Sequence, residues 1–302
     1  MKKREFQIFF KDKLEKRFFL VISVLFLIPI VSFAYYSTQF SSNAKDFFYS
    51  TTTIIPTTTT TIVDSKIIEL EKNKAKLQID INNITSKYSD TDISIAFKNS
   101  DFSQIQVYGK TTSYTGASTT KVITAVYYLS LVESGERTLD QYIEDHSAVW
   151  QIKQMINQSN NSSWYSLNKN IGYENLENYA NSIGLASFDS SENTITAKDE
   201  ALLLEKLYTG KLINNKHSDL LLSYMQNTNY ETLIPAALPD GVTVYHKYGL
   251  LNNNLHDISI IKNDDKVFYL TILTDSKSTI NYTERTKLFH EIVNAILEFE
   301  QI

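Results

Sequence analysis

Apolar and polar residues alternate in this chain in two sets of strand patterns, one near each end of the folded part. Ile93, Ile95 and Phe97 occupy every second position, and the apolar stretch at 105–108 completes a predicted pair of strands. Strand patterns return near the other end, at 242–247, 256–261 and 267–274. We expect an α+β fold in which strands from both chain ends share one antiparallel sheet.

Helical periodicity dominates the rest of the chain. Residues 118–225 show mostly helical patterns, and 122–132 is apolar on nearly all sides, which is typical of a helix buried in the domain centre. Apolar spacings of three and four predict amphipathic helices over 65–87 and at the C-terminus. We therefore expect terminal helices that flank the sheet and an inserted helical subdomain. Lys74 interrupts the first apolar seam, which favours a helix packed on the domain over a coiled-coil stalk.

The N-terminal region has the pattern of an exported or anchored protein. Residues 18–36 form an apolar run that spans roughly 28 Å as a helix, close to the thickness of a bilayer core. Seven basic residues stand against three acidic ones in 1–17, which predicts a cytoplasmic N-terminus and a transmembrane anchor at 18–36. The alternative is a cleaved signal peptide, with Ser32 and Ala34 at the positions before cleavage. Either interpretation places the remaining chain outside the cytoplasmic membrane.

Composition divides the exported part into a linker and a domain. Threonine fills eight of the eleven positions of 51–61, so residues 37–64 are predicted to be an extended tether that leads to a folded domain at 65–302. The net charge is −5 and no basic patch follows residue 17, which excludes a general nucleic-acid binder. The absence of cysteine excludes disulfides, thiolate metal sites and a cysteine nucleophile.

The first candidate for chemistry is the sequence Ser-Thr-Thr-Lys at the start of the central helical pattern. One helical turn separates Ser118 from Lys121, so both side chains are expected on one face. A serine hydroxyl needs a neighbouring base to become a nucleophile, and a buried lysine that has lost its proton can serve as that base. The motif alone is short, and an N-cap with an exposed lysine would fit it equally well.

Two later segments give this motif its meaning. Ser159 and Asn161 lie in Gln-Ser-Asn-Asn, and Lys247 and Gly249 lie in His-Lys-Tyr-Gly at the end of a predicted strand. In order and chemistry the three segments resemble S-x-x-K, S-D-N and K-T-G of class A β-lactamases and penicillin-binding proteins. The stretches GASTTKVITAVYYLSLVESGERTLD and LPDGVTVYHKYG extend the similarity, which covers about 65–302.

The resemblance implies the roles of four catalytic residues. Ser118 would be the nucleophile that is acylated, with Lys121 as its base. Ser159 would pass a proton to the leaving nitrogen, aided by Lys247, whose charge would also attract a substrate carboxylate. No metal or organic cofactor is implied, and we expect a monomer.

The resemblance also implies the binding residues, with two departures from the family pattern. The oxyanion hole would be formed by the backbone N–H groups of Ser118 and Leu250, with Gly249 allowing substrate to lie close to the strand. Asn161 would bind the side-chain amide of the substrate. Asn160 replaces the aspartate of S-D-N, a modest change that leaves the flanking serine and asparagine intact. Tyr248 replaces the short hydroxyl residue of K-T-G, so substrate recognition is expected to differ.

A third departure concerns deacylation. Class A enzymes carry an acid and an asparagine in a loop that positions the hydrolytic water. The corresponding stretch, 186–196, is short, and its only acid–amide pair is Glu192-Asn193, whose adjacency does not match the family spacing. Glu192 is therefore a weak candidate for the deacylation base.

Three functions remain open at this point. The first is a membrane-tethered, extracytoplasmic serine hydrolase of the class A β-lactamase type. The second is a D,D-carboxypeptidase or related penicillin-binding enzyme that acts on peptidoglycan stem peptides and deacylates slowly. The third is an inactive wall-binding or sensor domain. A Ser-His-Asp triad is disfavoured because no G-x-S-x-G elbow occurs in the chain.

Overall fold

A computed structural model describes residues 58–302 of the chain, with side chains from residue 65 onward. Residues 64–302 form one compact unit. The predicted anchor at 18–36 and most of the predicted linker lie outside the described residues. Within residues 58–302, none of the helices combines the length and the apolar character that a membrane span needs.

Eight α-helices and nine strands make up the described chain. The helices are α1 Thr58–Thr85, α2 Lys121–Glu133, α3 Ala148–Asn157, α4 Asn161–Ile171, α5 Tyr173–Ser182, α6 Ala197–Tyr208, α7 Asn215–Tyr224 and α8 Tyr282–Glu300. The strands are β1 Thr91–Lys98, β2 Gln106–Gly109, β3 Tyr114–Thr115, β4 Tyr142–Ile143, β5 His146–Ser147, β6 Thr194–Ile195, β7 Thr243–Leu251, β8 Asn254–Asn263 and β9 Lys266–Ser276. A short 3₁₀ turn lies at Pro235–Ala237.

The main sheet joins strands from both ends of the chain, as the strand patterns predict. Its order is β2-β1-β9-β8-β7, and all neighbouring pairs are antiparallel. Two tight turns connect the last three strands, and Asn252 and Asp264 take positive φ there, which asparagine and aspartate tolerate better than most residues. Strand β7 is an edge strand, so its free side can face the helical insertion.

The two faces of the sheet are covered differently. Successive side chains of a strand point to opposite faces, and Ile272 accordingly joins the core under α1 and α8, whereas Leu273 joins the core under the helical insertion. The two clusters are separated by the sheet itself. The predicted α+β architecture, with flanking terminal helices and an inserted helical subdomain, is therefore present.

The described side chains of α1 that are buried against the domain lie in its C-terminal half. Leu77, Ile81 and Ile84 are buried against α8 and the sheet, whereas Ile67 is exposed. The helix also begins at Thr58 and so includes residues that we expected in the extended linker. Once part of a helix is held by packing, each added residue gains a hydrogen bond at little further cost in nucleation, which favours such an extension.

The packing of α1 generates a paired test of stability. Ile81→Ala should lower the free energy of unfolding by about 2–5 kcal/mol, because it leaves a cavity at a fully buried position. Ile79→Ala, two residues away at 59% exposure, should change it by about 0.5 kcal/mol or less. Chemical denaturation of the two variants measures both values. Equal effects would contradict the packing of α1 on the sheet.

Candidate active site

Ser118 lies in a tight turn between β3 and the buried helix α2. The N–H of Thr119 donates to the carbonyl of Gly116, and that of Val122 donates to the carbonyl of Thr119, so the turn is built from i to i+3 bonds. The α-helix itself begins only at Lys121, later than the sequence pattern indicates. Ala117 takes a φ of 52°, which is costly for a residue with a Cβ. This sharp turn leaves Ser118 half-buried at the domain surface.

Lys121 is fully buried and reaches the second predicted segment. Its Nζ donates to the carbonyl oxygen of Ser159 at 2.8 Å and to Oδ1 of Asn161 at 2.6 Å. It also lies 5.5 Å from the ring centre of Trp164. Burial lowers the pKa of Lys121 to about 8, because the charged amine loses its hydration. A sizeable neutral fraction is therefore present near neutral pH, as a general base requires.

Lys247 reaches the same loop from the edge strand. Its Nζ donates to Oγ of Ser159 at 2.9 Å and to the carbonyl of Tyr248 at 2.9 Å. Burial holds the pKa of Lys247 well below its usual range, the charge of Lys121 lowers it further, and Asp257 opposes both effects. The two amines therefore titrate as a coupled pair, and carrying both charges at once is costly.

The third segment approaches the nucleophile turn through a glycine. A Cβ placed on Gly249 would lie 3.0 Å from the backbone nitrogen of Ser118 and 3.0 Å from the carbonyl oxygen of Gly116. A side chain there would be tightly packed against the turn and would require it to shift by a few tenths of an ångström. Leu250 follows on the same strand and is exposed. The backbone of Ser118 and the end of β7 are thus neighbours, as an oxyanion hole shared between them requires.

The two altered motif positions have identifiable structural roles. Asn160 is the N-cap of α4, and its side chain accepts from the N–H of Ser163 at 2.9 Å. Asparagine and aspartate are equally good N-caps, so this change preserves the local structure. The ring of Tyr248 stacks on Tyr230 with centres 4.7 Å apart, and Nζ of Lys247 lies 4.2 Å from its centre. Tyr248 therefore contributes an aromatic wall where the family pattern has a hydroxyl.

Glu192 and Asn193, the acid–amide pair of the short loop, lie in different surroundings. Glu192 is exposed, and its N–H donates to Oδ1 of Asp189 within a tight turn. Asn193 instead contacts the nucleophile turn, since its Nδ2 donates to the carbonyl of Ala117 at 2.9 Å and its Oδ1 accepts from Thr120 at 2.6 Å. The loop therefore braces the turn that carries Ser118. In residues 58–302, no carboxylate is hydrogen-bonded to the side chain of Ser118, Lys121, Ser159 or Lys247.

A buried histidine network lies directly beneath the third motif. Nδ1 of His246 lies 2.9 Å from Oδ1 of Asp257, and Nε2 lies 3.1 Å from Oε1 of Glu231 and 3.0 Å from Oγ1 of Thr228. Burial by itself lowers the pKa of His246, but Asp257 and Glu231 together outweigh it and raise the pKa to about 9. The imidazolium ties β7 to β8 and to the loop that carries Tyr230. Asp257 also accepts from the N–H of Ile234, so it anchors β8 to the loop that precedes β7.

The comparisons with known proteins agree with this geometry. A model of the β-lactamase enzyme family matches residues 76–299, which is more than half of the chain. The chain belongs to the β-lactamase enzyme family. A search of curated proteins found no match. Membership of the β-lactamase enzyme family confirms the expectation that the chain is a serine hydrolase with a class A β-lactamase-like fold.

Solved structures show the fold of this family member. PBP-A aligns with a TM-score of 0.69 at 20% identity, over 75% of this chain and 97% of its own. A mutant of PBP-A, solved as an acyl-enzyme complex with penicillin G, has the same TM-score and identity over 76% and 97%. A β-lactamase from Chitinophaga pinensis aligns with a TM-score of 0.68 at 18% identity, over 74% and 98%.

Sequence reasoning located the motif residues of this β-lactamase family member but missed several residues around them. The motifs do not single out His246, Tyr230 or Glu200. One signal was available for Glu200, because it shares a helical stripe with Ala197, Ala201 and Leu204, where an apolar residue is expected. The contacts of Tyr230 and His246 depend on loop packing and had no local signal.

The histidine network generates a test by pH. His246 should titrate near pH 9 in the folded protein, far above its usual value of about 6.5, because two carboxylates face its ring nitrogens. The stabilisation from its charge is complete below about pH 6.5 and is lost as the pH rises through about 9. NMR of protein labelled at the histidine ring nitrogens measures the titration directly. In Glu231→Gln the midpoint should fall, and an unchanged midpoint would contradict the pairing.

Proposed function

We propose that this family member is a serine hydrolase that forms an acyl-enzyme at Ser118 with β-lactams or related amides. The observation that carries the proposal is the meeting of Lys121 and Lys247 at Ser159, beside the turn of Ser118. The acyl-enzyme of a PBP-A mutant with penicillin G supports a β-lactam as the reacting class. The natural substrate on this proposal is a β-lactam or a peptidoglycan stem peptide.

The acylation step follows from the positions of the amines. Oγ of Ser118 attacks the amide carbon while neutral Lys121 accepts its proton, and the carbonyl oxygen becomes an oxyanion. The N–H groups of Ser118 and Leu250 stabilise that oxyanion. The C–N bond then breaks as Oγ of Ser159 gives its proton to the leaving nitrogen, and a proton from Lys247 restores the hydroxyl. Asn161 faces the same space and binds the substrate amide.

A second candidate function is favoured by the surroundings of the nucleophile. In the described chain no carboxylate contacts the four catalytic side chains, and Glu192 is exposed in its turn. A carboxylate base for the deacylating water is thus not in contact with the site, which favours slow hydrolysis of the acyl-enzyme, as in a D,D-carboxypeptidase or penicillin-binding protein. Tyr248 in place of a short hydroxyl favours a substrate other than the usual one of the family.

Intact-protein mass after exposure to penicillin tests both candidates together. The wild-type chain should gain the mass of one penicillin, Ser118→Ala should gain none, and Lys121→Arg should react about 10²–10⁴-fold more slowly because arginine does not lose its proton. Rapid return to the free mass indicates β-lactamase turnover, and a persistent adduct indicates the second candidate. Lys153→Arg, an exposed lysine on α3, is the matched control and should react like the wild type.

Two outcomes would contradict the assignment. Persistent labelling of Ser118→Ala, with its unfolding temperature unchanged, would show that another residue is the nucleophile. No labelling of the wild type would favour the third possibility, an inactive wall-binding or sensor domain.

We also propose that the enzyme is tethered to the outer face of the cytoplasmic membrane by residues 18–36. The basic residues of 1–17 and the apolar run support this topology. The full chain expressed in bacteria should sediment with membranes after alkaline carbonate extraction and should be cleaved by protease added to spheroplasts. A soluble product that starts after residue 34 would show a cleaved signal peptide instead.

A further inference from the structure

Glu200 is a buried acid directly behind the nucleophile turn, and the acylation step leaves it unused. It lies on α6 and is fully buried. Oε1 of Glu200 lies 2.6 Å from Oγ1 of Thr119, the residue that follows Ser118. Its other oxygen, Oε2, is buried and has no hydrogen-bonding partner among the residues that the structure describes.

The hydrogen bonds of Thr119 require a proton on this carboxyl group. Oγ1 of Thr119 lies 2.7 Å from the carbonyl oxygen of Gly116 and 2.6 Å from Oε1 of Glu200. A threonine hydroxyl carries one proton and can donate to only one of these two oxygens. The second contact is a hydrogen bond only if the carboxyl O–H donates to Thr119, which in turn donates to Gly116.

The turn held in this way is the one that presents Ser118 to the edge strand. The backbone atoms nearest to a Cβ placed on Gly249 belong to Gly116 and Ser118. We propose that Glu200, in its protonated form, is a positioning residue for acylation: it holds Thr119, which holds the Gly116 carbonyl and so the backbone of Ser118. This inference rests on the proposed role of Ser118 as the nucleophile.

The electrostatic surroundings favour the neutral acid. Burial is the main cause that raises the pKa of Glu200 to about 8, and the charge of Asp199 acts in the same direction. The ionisable groups on the elements that pack against α6 and the turn do not neutralise it. Lys98 on β1 pairs with Glu205, and burial lowers the pKa of His256 on β8 to about 4, which leaves it uncharged. The other ionisable groups on these elements include Asp92 on β1, Tyr114 on β3, Asp257 on β8, Tyr269 and Asp275 on β9, Lys121 on α2 and Lys247 on β7.

The consequence is a change in reactivity at alkaline pH. When Glu200 ionises, the hydroxyl group of Thr119 has one proton and two acceptors, the carbonyl oxygen of Gly116 and the carboxylate of Glu200. The hydrogen bond to Gly116 then competes with the one to the carboxylate. The turn then loses its fixed contact with β7, and acylation of Ser118 slows. Ionisation of Lys121 acts in the opposite direction, since its neutral fraction grows as the pH rises through about 8.

The acylation rate with a fluorescent penicillin, measured from pH 6 to 10, tests the role of Glu200. The wild-type rate should rise towards pH 8 and then fail to rise further or fall. Glu200→Gln keeps a neutral donor to Thr119, so its acylation rate should also rise towards pH 8 but should not decline above it. At one pH unit above 8 it should react about tenfold faster than the wild type. Glu174→Gln, the same change at an exposed position on α5, is the control and should follow the wild-type profile.

Thermal unfolding over the same pH range adds a measurement that does not depend on reactivity. The unfolded chain releases the proton of Glu200 near pH 4.5, whereas the folded protein holds it up to about pH 8. The free energy of unfolding of the wild type should therefore fall as the pH rises from about 4.5 to 8. The unfolding temperature of Glu200→Gln should therefore gain on that of the wild type as the pH rises through this window. A constant difference would show that Glu200 is ionised in the native protein and would overturn the proposal.

The outcomes separate this inference from the proposed function. Identical pH profiles for the wild type and Glu200→Gln, both labelled at Ser118, would overturn the role of Glu200 alone. No labelling of the wild type would overturn the role of Ser118 and with it the positioning role.

Discussion

The active site depends on two buried amines that meet at one serine. Lys121 binds the carbonyl of Ser159 and Lys247 binds its hydroxyl, so a single residue joins the central helix, the loop before α4 and the edge strand. Burying two lysines so close together is costly unless at least one loses its charge. The same burial keeps part of the Lys121 amine neutral, as the proposed base for a serine hydroxyl requires. The burial that reduces stability therefore also provides the chemistry.

Backbone conformation provides the second part of the arrangement. Ala117 and Ser159 both adopt positive φ, and each lies at a corner where a catalytic side chain must point into the site. Such conformations persist only where surrounding contacts hold them. Asn193 holds the first corner through the carbonyl of Ala117, and the loop near Asn229 holds the second, since its side-chain amide donates to the carbonyl of Gln158. The short loops around the site therefore act as braces.

The charges beneath the site are arranged by burial and pairing. His246 is held charged by the two carboxylates that face it, whereas burial is the main cause that raises the pKa of Glu200 to about 8. The charged histidine joins the strand that carries Lys247 to its neighbours, and a buried acid lies behind the turn that carries Ser118. The aromatic pair of Tyr230 and Tyr248 covers the position where the family pattern has a hydroxyl.

The strands, the terminal helices and the three motifs can be predicted from the chain alone, because hydrophobic periodicity and the spacing of Ser118 and Lys121 are local properties. The helix-capping role of Asn160 and the start of the α-helix at Lys121 became evident from the fold. The fold also shows that Glu192 is exposed while Asn193 contacts the nucleophile turn. These features arise from contacts between segments that are far apart in the chain. The burial and the hydrogen bonds that such contacts create cannot be predicted from the local sequence.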